Sequence, residues 1–303
     1  MTETVPVRAG YAALIGRPNV GKSTLLNRLI GQKLSITAPK PQTTRHVLLG
    51  IQTLPQAQIV YVDTPGLHRQ VGRAMGRYLN RAATSVLGYT DVVIFLIEAL
   101  RWTEEDAAVL KRLTEFSGPV VLAVNKIDRI ADKSRLLPFL ADMAQKRPFA
   151  EIVPLAALTG DNVPALERGI VTLLPVGDFL FPPDQLTTAS ERFLAAELLR
   201  EKLTRLLRQE LPYALTVEIE HFVETERLVR IGAVIWVERD TQKGIVIGEG
   251  GATLREAGRQ AREGMERAFG RKVFLETWVK VREGWSDDEQ ALRSLGYGDF
   301  GTR

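Results

Sequence analysis

The segment Gly16-Arg17-Pro18-Asn19-Val20-Gly21-Lys22-Ser23 constrains this chain more than any other. It fits GxxxxGK(S/T) and lies between an apolar run at residues 12–15 and a stretch of helical spacing at 23–29. Glycines at such a loop let backbone amides wrap a phosphate at the amino end of the following helix, where the helix dipole favours an anion. In that arrangement Lys22 reaches the outer phosphates, Ser23 supplies a hydroxyl ligand for Mg²⁺, and Thr24 lies beside them. The motif alone specifies a nucleotide and no particular base.

The surrounding pattern agrees with the fold that such a loop needs. Apolar runs at residues 58–62, 92–97, 120–124 and 152–155 alternate with amphipathic stretches such as 103–113. This alternation reads as βα units in an α/β domain with a mostly parallel sheet, whose ligands sit at the carboxyl ends of the strands. A chain of 303 residues exceeds one small core, so two domains are expected. Residues 1–174 form the first and residues 175–189 a linker rich in Pro, Gly and Thr. Residues 190–303 form a smaller α+β domain with a tail. In that second domain, helical spacing at 191–209 precedes strands at 215–222 and 228–237, a helical stretch to Ala268 and a last strand at 272–281.

Composition narrows the classes further. The chain has no cysteine, which excludes disulfides, thiolate metal sites and a cysteine nucleophile. No apolar run approaches membrane-spanning length and residues 1–10 lack a signal-peptide pattern, so a soluble or at most peripheral protein is expected, taken to be a cytoplasmic monomer. The net charge of +4 is modest, and any nucleic-acid surface must be a local patch.

Two further motifs define the nucleotide. Asp63-Thr64-Pro65-Gly66 follows a strand-like run and puts a carboxylate where it can hold Mg²⁺ through water, with the Gly66 amide near the γ-phosphate. Asn125-Lys126-Ile127-Asp128 follows another. The Asp128 carboxylate accepts from the N1–H and exocyclic amino group of guanine, Lys126 packs along the ring and Asn125 braces the loop. Paired hydrogen bonds of this kind reject the wrong base because its edge would leave buried polar groups unpaired. GTP and GDP are therefore preferred over adenine nucleotides.

These three elements resemble those of the translation-factor-related GTPases. The resemblance makes Pro41-Gln42-Thr43-Thr44-Arg45-His46 the mobile switch loop, with Thr44 as its Mg²⁺ ligand and Thr43 as the alternative. It makes Ala156-Ala157-Leu158 the last guanine loop, where the Ala157 amide faces the guanine carbonyl although the usual preceding Ser is missing. Leu67 stands where some relatives carry a water-orienting Gln, so intrinsic hydrolysis is expected to be slow. Asn19 resembles an asparagine through which some relatives bind K⁺; it either does so here or merely shapes the loop. Catalysis would then rest on Lys22, Thr44, Gly66 and Asn19. Arg69, Arg73, Arg77 and Arg81 recur every fourth residue as a basic stripe, read first as a solvated face.

In the second domain, Lys243, Ile247, Gly248, Glu249, Gly250, Gly251 and Arg255 surround a GxxG loop opening a helix. Such loops clamp single-stranded RNA backbone in KH domains, although a glycine-rich hairpin would read similarly. Residues 243–280, which end with Arg271, Lys272 and Lys280, hold eight basic and five acidic side chains. Taken with PQTTRH, DTPGLH, KVFLETWVKV and WSDDEQALRSLGY, the chain resembles the Era-like family of bacterial GTPases over nearly its full length. That resemblance implies a type II KH domain binding the 3′ end of 16S ribosomal RNA. It further implies a role in small-subunit maturation and peripheral contact with the inner face of the cell membrane. A scaffold whose KH-like domain meets a protein is the competing reading. Glu249 departs from the basic or neutral residue common in KH loops, which favours backbone contact there.

Overall fold

The computed structural model describes residues 6–38, 40, 43–67, 74–207, 211 and 214–297. The first layer is a six-stranded sheet of order β2-β3-β1-β4-β5-β6. It comprises β1 (Arg8–Ile15), β2 (Leu48–Leu54), β3 (Ala57–Asp63), β4 (Val92–Glu98), β5 (Val120–Asn125) and β6 (Glu151–Pro154). All neighbours run parallel except β2 and β3. The central strands β3, β4 and β5 are buried almost throughout, as parallel strands covered on both faces must be. Helices α1 (Lys22–Ile30), α2 (Ala74–Ser85), α3 (Glu104–Arg112), α4 (Leu136–Ala144) and α5 (Val163–Leu173) cover the sheet. Two apolar clusters fill the space on its two sides. Strand β2 has no counterpart in the sequence reading. Its run LLGIQTL carries a glycine and two polar residues, and its apolar side is supplied at an edge by pairing with β3 rather than by a continuous apolar run.

The linker is pinned along that edge. The Ile51 amide donates to the Leu186 carbonyl at 2.8 Å, Thr187 Oγ1 donates to the Leu49 carbonyl at 2.6 Å, and the Gln58 side chain bonds residues 180 and 181. Beyond it, α6 (Glu191–Leu206), β7 (Leu215–Glu224), β8 (Leu228–Val237), α7 (Asp240–Ile247), α8 (Ala252–Phe269) and β9 (Lys272–Val281) build a second unit, followed by α9 (Glu289–Ser294). Its sheet has the order β7-β8-β9, antiparallel then parallel. The three longer helices and the inner sheet face enclose one core. This order, α-β-β-α-α-β, is that of a type II KH domain.

The two units meet through a small apolar seam and a polar one. Met75, Tyr78 and Leu79 of α2 pack with Trp285, Leu292 and Tyr297. Beside them His46 stacks on Tyr297 at 4.6 Å, and burial pushes its imidazole down to about 4. Arg77 and Arg81 of the predicted basic stripe are exposed, as a solvated face requires, and lie 3.6 and 4.0 Å from Glu289 of the second unit. Arg69 and Arg73 lie outside the described residues. No helix among the described residues is long and apolar enough to cross a membrane.

Candidate functional site

The loop between β1 and α1 curls around a cavity of about 310 Å³ lined by Pro18, Asn19, Gly21, Lys22, Ser23 and Thr24 from that loop, with Thr44, Gly66 and Lys126 opposite. Lys22 Nζ donates to the carbonyls of Gly16 (2.9 Å) and Arg17 (3.0 Å), which curls the loop around the ammonium. Burial lowers the Lys22 pKa to about 8, with Asp63 raising it and Arg17 lowering it further. Gly66 closes the cavity from β3. A Cβ at that position would stand 2.8 Å from the ring and the nitrogen of Pro18, so only glycine lets the two loops approach.

Oxygen atoms suited to a hard cation converge at one edge. Ser23 Oγ lies 2.8 Å from Thr44 Oγ1 and donates to Asp63 Oδ2 at 2.7 Å, which also accepts from Ser35 Oγ at 2.7 Å. The other carboxylate oxygen, Asp63 Oδ1, is buried without a partner. Burial raises the Asp63 pKa, and the two serine hydroxyls and Lys22 pull it back only in part. Two hydroxyls beside a buried carboxylate with an unsatisfied oxygen fit a Mg²⁺ ion with its waters and substrate phosphates. Thr44 and not Thr43 stands there, since Thr43 Oγ1 turns to the Lys40 carbonyl at 2.6 Å.

The guanine side is braced by Asn125 at the end of β5. Its Nδ2 donates to the Val20 carbonyl at 2.8 Å, and its Oδ1 accepts from the amides of Lys126 (2.7 Å) and Ala157 (2.9 Å). One side chain thus joins the phosphate loop to both guanine loops. Asp128 is exposed in the short turn Ile127–Arg129, its carboxylate available to a base. Behind the cavity the Arg17 side chain is turned away from it. Nε donates to both oxygens of the fully buried Asp106 at 3.1 Å and Nη2 to Glu98 at 3.2 Å. Burial alone would raise the Glu98 carboxyl, but Lys126 and Arg17 beside it hold it below the usual range.

The second candidate site is the turn from α7 into α8. Gly248, Gly250 and Gly251 all have positive φ, of 75°, 54° and 78°. A Cβ on Gly248 would collide with the Thr253 side chain and come within 2.9 Å of its amide. Arg255 Nη2 donates to the Gly250 carbonyl at 3.0 Å, holding the loop. Glu249 and Arg255 are exposed, while Lys243 and Ile247 are half-buried on α7.

Family comparisons follow this geometry. Residues 11–126 match the model of the 50S ribosome-binding GTPases, and residues 210–286 match the KH domain. GTPase Era of Azotobacter vinelandii is 56% identical over 299 residues, which is 99% of this chain and 100% of that protein. Its counterpart in Pseudomonas putida is 54% identical over 300 residues, again 99% and 100%. The chain belongs to the Era family of GTPases. The crystal structure of Era in complex with MgGDPNP and nucleotides 1506–1542 of 16S ribosomal RNA superimposes with a TM-score of 0.93 at 38% identity, covering 96% of this chain and 99% of that one. Aquifex aeolicus Era bound to GDP·AlF4⁻, as a point variant, gives 0.92 at 37% identity over 96% and 99%. As a member of the Era family the protein is a GTP-hydrolysing enzyme with a KH domain.

Three of the sequence-predicted residues have partners of their own within this Era-type site. The Thr64 hydroxyl is fully buried and donates to the Leu14 carbonyl at 2.7 Å, so it fixes the loop to β1 and does not face the nucleotide. The Ala157 amide donates to Asn125 Oδ1 at 2.9 Å. Lys272 begins β9, beyond the far end of α8 from the glycine loop, an axial distance of about 27 Å for an 18-residue helix. It lies outside the reach of that loop, exposed, with its ammonium 3.9 Å from the Glu266 carboxylate. Val20, Pro65 and Ala156 are buried and contribute only backbone, and Leu67 is part of the apolar core.

Sequence reasoning did not single out Ser35, Ile36, Thr37, Glu98 or Arg129. Glu98 carried a usable signal, a carboxylate at the end of a parallel strand. The switch-loop residues carried none, because a loop has no period to place its side chains.

Proposed function

We propose that this Era-type GTPase binds GTP with Mg²⁺ held by Ser23, Thr44 and, through water, Asp63, and uses the nucleotide to gate a KH domain. That domain would hold the 3′ end of 16S ribosomal RNA through the backbone of Gly248 to Gly251, assisting maturation of the small subunit. The relative crystallised with this RNA segment supports the choice of ligand.

One observation carries the gating. The loop that lines the nucleotide cavity with Thr37 and Thr44 and reaches Asp63 through Ser35 is held by α6 of the KH unit. Glu201 of α6, fully buried, accepts from Lys33 Nζ and, at 3.0 Å, from the Thr37 amide. Arg205 Nη2 donates to the Thr37 carbonyl at 2.6 Å, and Arg200 to that of Thr43. Arg45, from the same loop, donates to the Leu215 carbonyl at 2.8 Å. A γ-phosphate that tightens the loop around Thr44 therefore acts on α6, and its loss on hydrolysis releases that pull.

In hydrolysis Lys22 neutralises charge on the outer phosphates and Thr44 orients the metal edge of the site. Leu67 offers no hydrogen bond to a water, which supports slow intrinsic turnover. K⁺ held near Asn19 is our reading of what accelerates it. Asn19 has φ of 62° in the phosphate loop, a conformation that turns it out of the regular loop path. We place the protein in the cytoplasm as a monomer.

The test is binding of a short single-stranded RNA ending in the 16S 3′ sequence, with GTP analogue, with GDP and without nucleotide, at two salt concentrations. Tighter binding with the analogue is expected. Equal binding in all three states would refute the gating, and no binding in any state would assign the KH domain to a protein partner.

A further inference from the structure

Glu98 is the last residue of β4, the strand between β1, which delivers the phosphate loop, and β5, which delivers the guanine loop. Its backbone is paired in register with Asn125, and the Ala99 amide donates to the Asn125 carbonyl at 2.8 Å. One carboxylate oxygen, Oε2, receives Arg17 Nη2 at 3.2 Å and Lys126 Nζ at 3.1 Å. Arg17 is itself anchored by Asp106, which also closes the amino end of α3 in a capping box with Thr103. A continuous line of charged groups, Asp106–Arg17–Glu98–Lys126, therefore runs from α3 behind the phosphate loop to the side chain that borders the base.

A lysine has four rotatable methylenes and loses substantial rotamer freedom when it is ordered. Lys126 leaves its strand with a φ of 69°, so its backbone alone directs the stem away from the regular course of β5. Glu98 supplies the fixed end point. With the ammonium held there, the methylenes are arranged before the nucleotide arrives, and binding need not spend free energy ordering them. Arg17 keeps the Glu98 carboxylate in place, and Asp106 keeps Arg17 in place.

We propose that Glu98 is a positioning residue for guanine recognition, acting through Lys126 to set the surface on which the purine ring lies. The proposal rests on the reading that guanine occupies the loop from Asn125 to Asp128. The Glu98 side chain is 21% exposed, so its pull is that of a partly screened charged hydrogen bond and not of a deeply buried pair.

The experiment uses the full chain, with fluorescent GDP and GTP for affinity and dissociation rate, and saturating GTP for turnover. For Glu98→Gln the Kd of both nucleotides rises about tenfold through faster dissociation, while kcat at saturation stays within about twofold. Glu98→Asp, whose shorter carboxylate withdraws from Lys126, falls between. Lys126→Met weakens binding by a comparable factor, and adding Glu98→Gln to it produces no further loss, because the residue through which Glu98 acts is already gone. Full additivity of the two changes would overturn the proposal, as would wild-type affinity in Glu98→Gln. A general loosening of the fold would persist in the Lys126→Met background and lower kcat as well. Undiminished guanine affinity in Asp128→Asn would instead break the underlying placement of the base, whatever Glu98→Gln does.

Discussion

The nucleotide cavity and the glycine loop of the KH unit each have a glycine at the amino end of a helix, yet they are built in opposite ways. Around the cavity almost every polar side chain is tied to a neighbour: Lys22 to two carbonyls, Asn125 to three loops, Arg17 to two carboxylates. Around the glycine loop Glu249 and Arg255 are exposed, and shape rests on three positive φ angles and the Arg255 bond to Gly250. The first site is preorganised for one small ligand whose base and phosphates must be read together. The second, as the proposed RNA contact, would present a short reach of bare backbone to a long polymer, where close approach matters more than a fixed set of donors. The difference predicts where single substitutions are severe and where they are tolerated.

The largest effect should come from Asp128→Asn. In the proposed placement of the base, the carboxylate makes both specific bonds to the guanine edge, and the amide presents a donor to one of two guanine donors. GTP affinity should fall roughly a thousandfold, with little change in melting temperature without nucleotide. A loss below tenfold would mean that selectivity resides elsewhere in the cavity.

Next in size is the seam that joins the two sites. Glu201→Gln removes the charge that Lys33, Lys202 and Arg205 share. Breaking a buried pair from one side costs about 3–5 kcal/mol, and the half-exposed lysine and arginine reduce this to roughly 2–3 kcal/mol. Burial opposes ionisation of Glu201, but Lys33, the Thr37 amide and Lys202 outweigh it and hold the pKa at about 2. A carboxyl whose folded pKa is lowered stabilises the fold above its unfolded value and loses that contribution as pH falls toward 2. The wild type should therefore lose stability between about pH 4.5 and 2, a loss diminished in the Gln variant. Identical acid melting curves for the two would place the contribution elsewhere.

Gly248→Asp is the corresponding break in the second site. It forces a side chain onto φ 75° beside Thr253 and adds a negative charge where RNA phosphate would lie. RNA affinity should drop about thirtyfold, with GTP binding unchanged within twofold. Lys272→Glu should lower it far less, because Lys272 stands beyond the other end of α8. Equal losses in the two variants would mean that the RNA path follows the length of that helix and not the loop.

How much of this was legible beforehand follows the same division. The nucleotide motifs are contiguous, and each begins where a buried strand stops, so Gly16–Ser23, Asp63–Gly66 and Asn125–Asp128 could be placed from sequence. The α/β alternation and most of the KH order of elements were readable for the same reason, since long periodic runs bury continuous faces, whereas the eight-residue α7 was not. What escaped was set by tertiary partners. Strand β2 depends on β3 for its pairing, Thr64 turns inward because the Leu14 carbonyl is there, and Ala157 is claimed by Asn125. Lys272 stands apart from the glycine loop because an 18-residue helix separates its two ends.

The smallest effect is also the most direct probe of preorganisation. Burial brings Lys22 from 10.5 to about 8 in the protein without nucleotide. Between those values the unfolded chain binds more protons than the folded one, so this group makes stability rise with pH across that window. Bound phosphate reverses the balance, because its charge draws the ammonium back to the protonated form. GDP binding at pH 8 should then take up about half a proton at Lys22, and only about a tenth at pH 7. Affinity should weaken by about twofold over the same unit. Calorimetry in two buffers of different ionisation enthalpy measures that uptake. No difference between pH 7 and 8 would show that the carbonyls of Gly16 and Arg17, together with Asp63, keep Lys22 charged without help. The cavity would then be electrostatically complete before the nucleotide arrives, and the contrast with the glycine loop would be sharper still.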